Sequence, residues 1–132
     1  MANAFPDKYL DLFQKKSFGA FTTVMPDGGP QTTPVWVDHK NGQVWVNSAL
    51  GRQKDKNVRR DPRVAVAVID PDNPYRYVEV RGKVVEITEQ GADAHIDQMA
   101  KKYLGQDKYP FRQPGERRVL YKIVIEHAHA YG

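Results

Sequence analysis

Two turn signals, each lying between predicted strands, constrain the fold of this chain more than any other feature. Residues 26–30 read Pro-Asp-Gly-Gly-Pro, and they end a segment, starting at Phe18, that is rich in aromatic and β-branched side chains. Asn41 and Gly42 form the dipeptide that most favours a tight hairpin turn, and another apolar segment begins at Val44. Because such turns join neighbouring strands directly, they predict a fold built mainly from β-structure.

Extending these patterns along the chain gives six strands and three short helices. The strands are predicted at residues 18–25, 32–38, 44–48, 64–69, 77–87 and 119–131, with Gly82 as a bend or bulge in the fifth. The helices are predicted at about residues 6–16, in a basic segment before Pro62, and along an apolar stripe that ends at Gly105. Six strands with few helices predict a small β-barrel. At 132 residues, the chain is expected to form one domain spanning 1–132.

Composition excludes several classes of site and partner. The chain has no cysteine, which excludes disulfides, cysteine nucleophiles, thiolate metal sites and iron–sulfur clusters. No apolar run approaches membrane-spanning length and no segment resembles a signal peptide, so we expect no membrane contact and a cytoplasmic location. The net charge of +4 favours anionic partners. Much of that charge lies in one segment instead of along a face, so nucleic acid is not the expected partner.

The basic segment follows the third predicted strand and leads into a helix. Its cations are Arg52, Lys54, Lys56, Arg59 and Arg60. Free backbone N–H groups and the helix dipole favour an anion at a helix N-terminus, so the segment predicts a site for a phosphorylated or polycarboxylated ligand. The alternative is a solvated helix face, because lysine and arginine are usually exposed.

The remaining chemical motifs are weak. His127 and His129 lie two apart on a predicted strand and could form a metal pair, but no third ligand has the required spacing, so no metal site is expected. The chain has neither the nucleophile elbow of the hydrolases nor a glycine-rich dinucleotide fingerprint. Aromatic residues beside the basic segment also leave open a site for single-stranded nucleic acid on an open barrel, but they do not interleave with the cations.

Three segments of the sequence together resemble one known family. Residues 28–35 read Gly-Gly-Pro-Gln-Thr-Thr-Pro-Val, residues 46–48 read Val-Asn-Ser, and residues 52–64 read Arg-Gln-Lys-Asp-Lys-Asn-Val-Arg-Arg-Asp-Pro-Arg-Val. In this order they resemble the pyridoxamine 5′-phosphate oxidase-like split β-barrels, over essentially the whole chain. Within that superfamily the chain is most similar to the small branch that uses the deazaflavin coenzyme F420. The resemblance implies a six-stranded split β-barrel, FMN-binding-like, that forms a homodimer with cofactor sites between subunits.

The resemblance also implies which residues bind the cofactor. The family's ring-binding strand corresponds to Gln31, Thr32, Thr33, Pro34 and Val35, and its next strand to Asn47, Ser48 and Ala49. Its phosphate-binding turn corresponds to Arg52, Lys54, Lys56 and Asn57, and residues near Tyr77 are expected to come from the second subunit. No side chain need act as a catalytic acid or base, because the hydride chemistry belongs to the cofactor.

The function implied is transfer of hydride from reduced F420 to a small conjugated organic acceptor. Nothing in the sequence matches the pyridoxal-phosphate site of the true oxidases, so that activity is not expected. Two alternatives remain open: an FMN-binding oxidoreductase on the same barrel, and a non-catalytic protein that carries F420 or a flavin. The acceptor site is expected at the loop of residues 106–116, with Tyr109, Phe111 and Arg112.

Overall fold

The computed structural model describes residues 5–132, and within them one seven-stranded sheet dominates. A 3₁₀ helix at Asp7–Phe13 comes first. The elements that follow are β1 (Phe18–Val24), β2 (Pro30–Trp36), β3 (Asp38–Lys40), β4 (Gln43–Ala49), α1 (Gln53–Arg60), β5 (Arg63–Ile69), β6 (Tyr77–Thr88), α2 (Ala92–Leu104) and β7 (Arg118–Tyr131). In this part of the chain, no helix has the length and apolar character needed to cross a bilayer.

The strands lie in the order β2-β1-β5-β6-β7-β4-β3, and every neighbouring pair is antiparallel. The sheet curls into a half-barrel, which confirms the predicted mainly β, split-barrel fold. The six predicted strands are all present. The additional strand, β3, forms because the three residues before the turn at Asn41 and Gly42 pair with the start of β4, which follows the turn. Asn41 has a positive φ of 54°, as such a turn requires.

Alternation of buried and exposed side chains explains where the core lies. On β5, Val64, Val66 and Val68 are buried, while Ala65 and Ala67 on the other face are partly exposed. The same inward alternation on the neighbouring strands places valines, isoleucines and Tyr121 against these valines. The first helix is shorter than predicted, but Leu12 and Phe13 still close one end of this core.

Gly82 is the bulge that the sequence predicts on β6. The pairing of β6 with β7 shifts register between Arg81 and Gly82. A Cβ atom on Gly82 would lie 1.8 Å from the carbonyl oxygen of Val124, so only glycine lets the two backbones approach this closely.

The apolar stripe predicted on α2 is buried, and α2 ends at Gly105 in the left-handed conformation, as predicted. Two polar side chains attach the helix to the start of β1 and the end of β2. The hydroxyl of Tyr103 donates to the carbonyl of Ser17 and accepts from the N–H of Val37, at 2.5 and 3.0 Å. Nζ of Lys102 donates to the carbonyls of Phe13 and Val37, and burial lowers its pKa to about 8. These bonds hold α2 along one side of a surface cleft.

Candidate functional site

A cleft of about 150 Å³ lies where β2, β4, α1, α2 and the start of β7 meet. Five of the residues predicted to bind a cofactor line it: Pro34, Val35, Asn47, Arg52 and Lys54. Pro34 and Val35 come from β2, and Asn47 comes from β4. Arg52 is the residue immediately before α1, and Lys54 lies in its first turn. The fold therefore brings together segments that are separated in sequence but were assigned to one site.

A buried carboxylate fixes the turn that presents Arg52 and Lys54. Asp55, only 1% exposed, accepts hydrogen bonds from the N–H of Gly51, the hydroxyl of Tyr121 and Nε of Arg59, at 3.0, 2.7 and 3.0 Å. Burial alone would raise the pKa of Asp55, but these donors outweigh it and hold that pKa below its usual value. The charged carboxylate thus ties the turn and α1 to β7.

Three cations converge at the cleft with one carboxylate among them. Glu116, whose side chain is 6% exposed, accepts from Arg52 at 3.4 Å and from Arg118 at 3.3 Å. Nζ of Lys54 donates to the hydroxyl of Thr33 at 3.1 Å, and Lys54 forms no ion pair with a residue that the structure describes. Burial, together with the charges of Arg52 and Arg118, lowers the pKa of Lys54. Such an arrangement is stabilised by an anion.

Asn57 and Gln31, both predicted to bind the cofactor, hydrogen-bond to each other below the cleft. Asn57 is fully buried, and its amide nitrogen donates to the hydroxyl of Thr23 at 2.9 Å and to the side-chain oxygen of Gln31 at 3.1 Å. Its amide oxygen accepts from Gln53 at 2.9 Å. These bonds attach α1 to β1 and β2 beneath the cleft. Neither Asn57 nor Gln31 lines the cleft itself.

The other predicted cofactor residues lie around or away from the cleft. Thr33 accepts a hydrogen bond from Lys54, which lines the cleft, whereas Thr32 hydrogen-bonds to Thr22 on the exposed side of β2. Ser48 and Ala49 are buried at the end of β4, and Lys56 is exposed on α1. Tyr77 lies at the start of β6 with its ring against those of His129 and Tyr131.

Two cations assigned to the helix N-terminus lie at its other end. Arg59 and Arg60 occupy the last turn of α1. Arg59 pairs with Asp55, and Arg60 donates to the carbonyl of Val24. Neither side chain lines the cleft, because Arg59 is held by the buried Asp55 and Arg60 reaches β1, so cations that are close in sequence do not all face one site.

The cleft has a second, aromatic side that the sequence predicted only in part. Tyr109 and Phe111, expected to shape an acceptor site, line it, but Arg112 instead pairs with Asp93 at 2.6 Å. Sequence reasoning missed four further lining residues: Phe18, Trp36, Ile96 and Arg118. For Arg118 a signal existed, because strand alternation requires that one of two adjacent arginines entering β7 face inward.

The histidine pair considered as a possible metal site lies on the last strand. His127 and His129 lie two apart on β7, as predicted. Within residues 5–132, no group of three or more histidine, aspartate or glutamate side chains is placed to hold a metal ion.

Known proteins match the chain over nearly its full length. A family model described as pyridoxamine 5′-phosphate oxidase matches residues 5–132. A solved structure named F420 reductase is 32% identical, with a TM-score of 0.82 over 95% of this chain and 98% of that one. A conserved hypothetical protein from Mycobacterium tuberculosis is 25% identical, with a TM-score of 0.74 over 98% and 86%. The general stress protein 26 of Bacillus anthracis shares the fold, at 21% identity and a TM-score of 0.67 over 95% and 92%.

Proposed function

The chain belongs to the pyridoxamine 5′-phosphate oxidase family, and from that premise we propose that it is an F420-dependent oxidoreductase. In this proposal the cleft binds coenzyme F420, and hydride passes from the reduced coenzyme to a small conjugated organic acceptor. The family and the fold support a flavin-type cofactor. The choice of F420 is supported by a similar structure named F420 reductase, at 32% identity.

One observation carries the proposal: Arg52, Lys54 and Arg118 line one cleft, and among the described residues only Glu116 supplies a carboxylate that pairs with any of the three. A half-buried cation without a carboxylate partner is costly unless a ligand supplies the charge. Arg52 and Lys54 precede or begin α1, where backbone N–H groups also favour an anion. We assign these two side chains to the phosphate of the coenzyme.

The rest of the cleft suits a flat ring. Pro34 and Val35 give β2 an apolar surface, and Asn47 adds an amide beside it. When bound, the coenzyme would supply the hydride chemistry. The side chains of this chain bind it, orient it and keep water away from one side of the ring. Thr33, Asn57 and Gln31 support that surface by holding Lys54 and α1 in place.

A second copy of the chain would complete the site. The cleft of about 150 Å³ is smaller than the roughly 300–1,000 Å³ of most small-molecule sites. The sheet face opposite the core, which we call the outer face, carries Ala65 and Ala67, and at its end Ile69, Tyr77 and Tyr131. Ile69 and Tyr131 are 44% and 62% exposed. Arg81 and Glu79 lie beside the two alanines on the same face. A face that combines small, apolar and charged side chains suits a homodimer interface, and we propose that the partner subunit binds here and closes the cleft.

Parallel titrations with F420 and FMN test the cofactor assignment. We expect micromolar or tighter binding of F420, and we expect Lys54→Ala to weaken it by about 1–3 kcal/mol, because a charge-assisted hydrogen bond is lost. This loss of affinity should be smaller at high salt, because salt screens the attraction that Lys54 exerts on the coenzyme. Binding is measured by calorimetry and by the coenzyme's absorbance and fluorescence.

Lys56→Ala is the matched control, because it removes the same charge from the exposed face of the same helix. It should weaken binding much less than Lys54→Ala. Equal effects of the two variants, or no effect of either, would contradict the assignment. FMN that copurifies and binds more tightly than F420 would favour an FMN enzyme. Tight F420 binding with no turnover over a broad panel of acceptors would favour a carrier.

A further inference from the structure

Four of the residues that line the cleft are aromatic. We use the name aromatic wall for Phe18, Trp36, Tyr109 and Phe111. The rings of Trp36 and Tyr109 meet edge to face at 5.9 Å, and those of Tyr109 and Phe111 at 5.8 Å. Phe18 and Phe111 are 58% and 57% exposed although both line the cleft. Exposed rings around a concave surface suit a flat, largely apolar ligand.

Arg118 places a fixed positive charge beside this wall. Its side chain is 3% exposed, and its guanidinium lies over the ring of Tyr109, 5.0 Å from the centroid. Nε donates to the amide oxygen of Asn47 at 2.9 Å and Nη1 donates to Glu116 at 3.3 Å. Nη2 makes no hydrogen bond to any residue in 5–132, although Arg118 lines the cleft. A buried arginine with an unused donor beside a cavity is suited to binding an oxyanion.

A chain of buried hydrogen bonds fixes the orientation of Arg118. The amide nitrogen of Asn47 donates to the carbonyl of Ala92 at 2.8 Å and lies 3.2 Å from Nδ1 of His95. Nε2 of His95 lies 3.0 Å from Asp38, and His95 is 4% exposed. With Nε2 donating to Asp38, Nδ1 accepts from Asn47, and the amide oxygen of Asn47 is left to face Arg118. Three elements besides β7 thus contribute to holding one guanidinium group.

We infer that Arg118 binds the carboxylate of a planar, conjugated acid that lies against the aromatic wall. The acceptor would then be a carboxylic acid whose C=C bond is conjugated with the carboxylate, with or without an aromatic ring. That identification of the acceptor rests on the proposed function. In the reduction, the acceptor's C=C bond gains a hydride at one carbon from the reduced coenzyme and a proton at the other from water. The product is the saturated acid, the coenzyme is left oxidised, and the charge on Arg118 offsets the electron density that moves toward the carboxylate.

The test measures binding to the protein without coenzyme, using cinnamate and its neutral amide, cinnamamide. In a Trp45→Phe background, Trp36 is the sole tryptophan, and its position in the aromatic wall makes its fluorescence report on the ligand. We expect cinnamate to bind at least about tenfold more tightly than cinnamamide, as a charge-assisted hydrogen bond predicts. Arg118→Gln should reduce that preference to less than about threefold, with little change in cinnamamide binding.

Arg117→Gln is the matched control, because it removes the same charge from the preceding residue, which is exposed and pairs with Glu89 at 2.6 Å. It should leave the preference for cinnamate intact. Arg118→Lys keeps the charge but cannot reproduce the hydrogen bond from Nε to Asn47, so it should lower the preference for cinnamate. This variant replaces Arg118→Gln as the test if the glutamine variant does not fold. Asp38→Asn should lower it as well, because it disturbs the hydrogen bond that orients His95.

Equal binding of cinnamate and cinnamamide to the parent protein would overturn the inference. So would a preference that survives Arg118→Gln but disappears in Lys54→Gln, since the carboxylate would then lie among the cations assigned to the coenzyme. The F420 titration is independent of these measurements. Failure of F420 to bind would remove the proposed function and leave the acid site standing, whereas F420 binding without a preference for the acid would remove only the acid site.

Discussion

Asp55 shows at the scale of single residues how one buried charge organises the site. Its carboxylate holds Gly51, Arg59 and Tyr121 together and so fixes the turn before α1. We expect Asp55→Asn to lower the free energy of unfolding by about 1–3 kcal/mol at neutral pH, because a charged acceptor for buried donors is lost. Urea denaturation of the two proteins measures the difference.

The pH dependence of that difference follows from the direction of the pKa shift. The pKa of Asp55 is lower in the folded protein than in the unfolded chain. Its stabilising effect is therefore complete above the unfolded pKa of about 3.9 and is lost as the pH falls through the lower, folded value. Asp55→Asn should thus differ less from the parent in strong acid than at pH 7. Asp107→Asn, an exposed change of the same charge, should differ little from the parent at either pH.

At the scale of the element, the bulge in β6 depends on Gly82. A Cβ atom there would lie 1.8 Å from the Val124 carbonyl oxygen, which belongs to the backbone of β7 and cannot rotate away. We expect Gly82→Ala to destabilise the protein by about 2–4 kcal/mol, as thermal or urea unfolding would show. Gly29→Ala is the control, because the added Cβ meets only the flexible side chain of Asp27, and it should change stability by less than about 1 kcal/mol. Similar effects at both positions would contradict this account of the bulge.

At the scale of the whole molecule, local sequence patterns predicted the helices and strands but not all of the tertiary contacts between them. The turn at Asn41 and Gly42 and the stripe on α2 depend on neighbours in sequence, and the bulge was predicted from the presence of Gly82 within a strand; the structure confirms all three. Strand alternation could have indicated that Arg118 faces inward, but not its hydrogen bond to Asn47, which is 71 residues away. Only the pairing of β4 with β7 brings the two side chains together.

For the cations in and just before α1, the sequence grouped side chains that the structure separates. Five basic residues lie within nine positions, and the sequence treated them as one cluster. The structure divides them, because the helix places Arg59 and Arg60 in its last turn and turns Lys56 toward solvent. Charge density along a sequence can therefore predict an anion site, but the direction of each side chain determines which cations could belong to it.

The outer face makes the proposed homodimer testable. Ala67 lies on this face near the middle of β5, opposite Glu79 on β6. We expect the parent protein to sediment with twice the mass of one chain, and Ala67→Arg to sediment as a monomer, because the long side chain of arginine would overfill the space beside an alanine at a packed interface. Gln90→Arg adds the same charge at an exposed site away from this face and should stay dimeric. A monomeric parent, or a dimer that survives Ala67→Arg, would show that this face is not the interface.

The carboxylate of Glu116, lying between Arg52 and Arg118, has a consequence for the choice of coenzyme. Together with Lys54, these groups leave two positive charges to be neutralised. The phosphate monoester of FMN carries roughly two negative charges near neutral pH and would use both. The phosphate of F420 is a diester with a single charge, so if that phosphate alone lay among these cations, with the carboxylates of the coenzyme's tail outside them, one positive charge would stay free for an acidic acceptor. The number of ester bonds on phosphorus, and not the chemistry of the ring, would then decide whether coenzyme and acid can occupy the protein together.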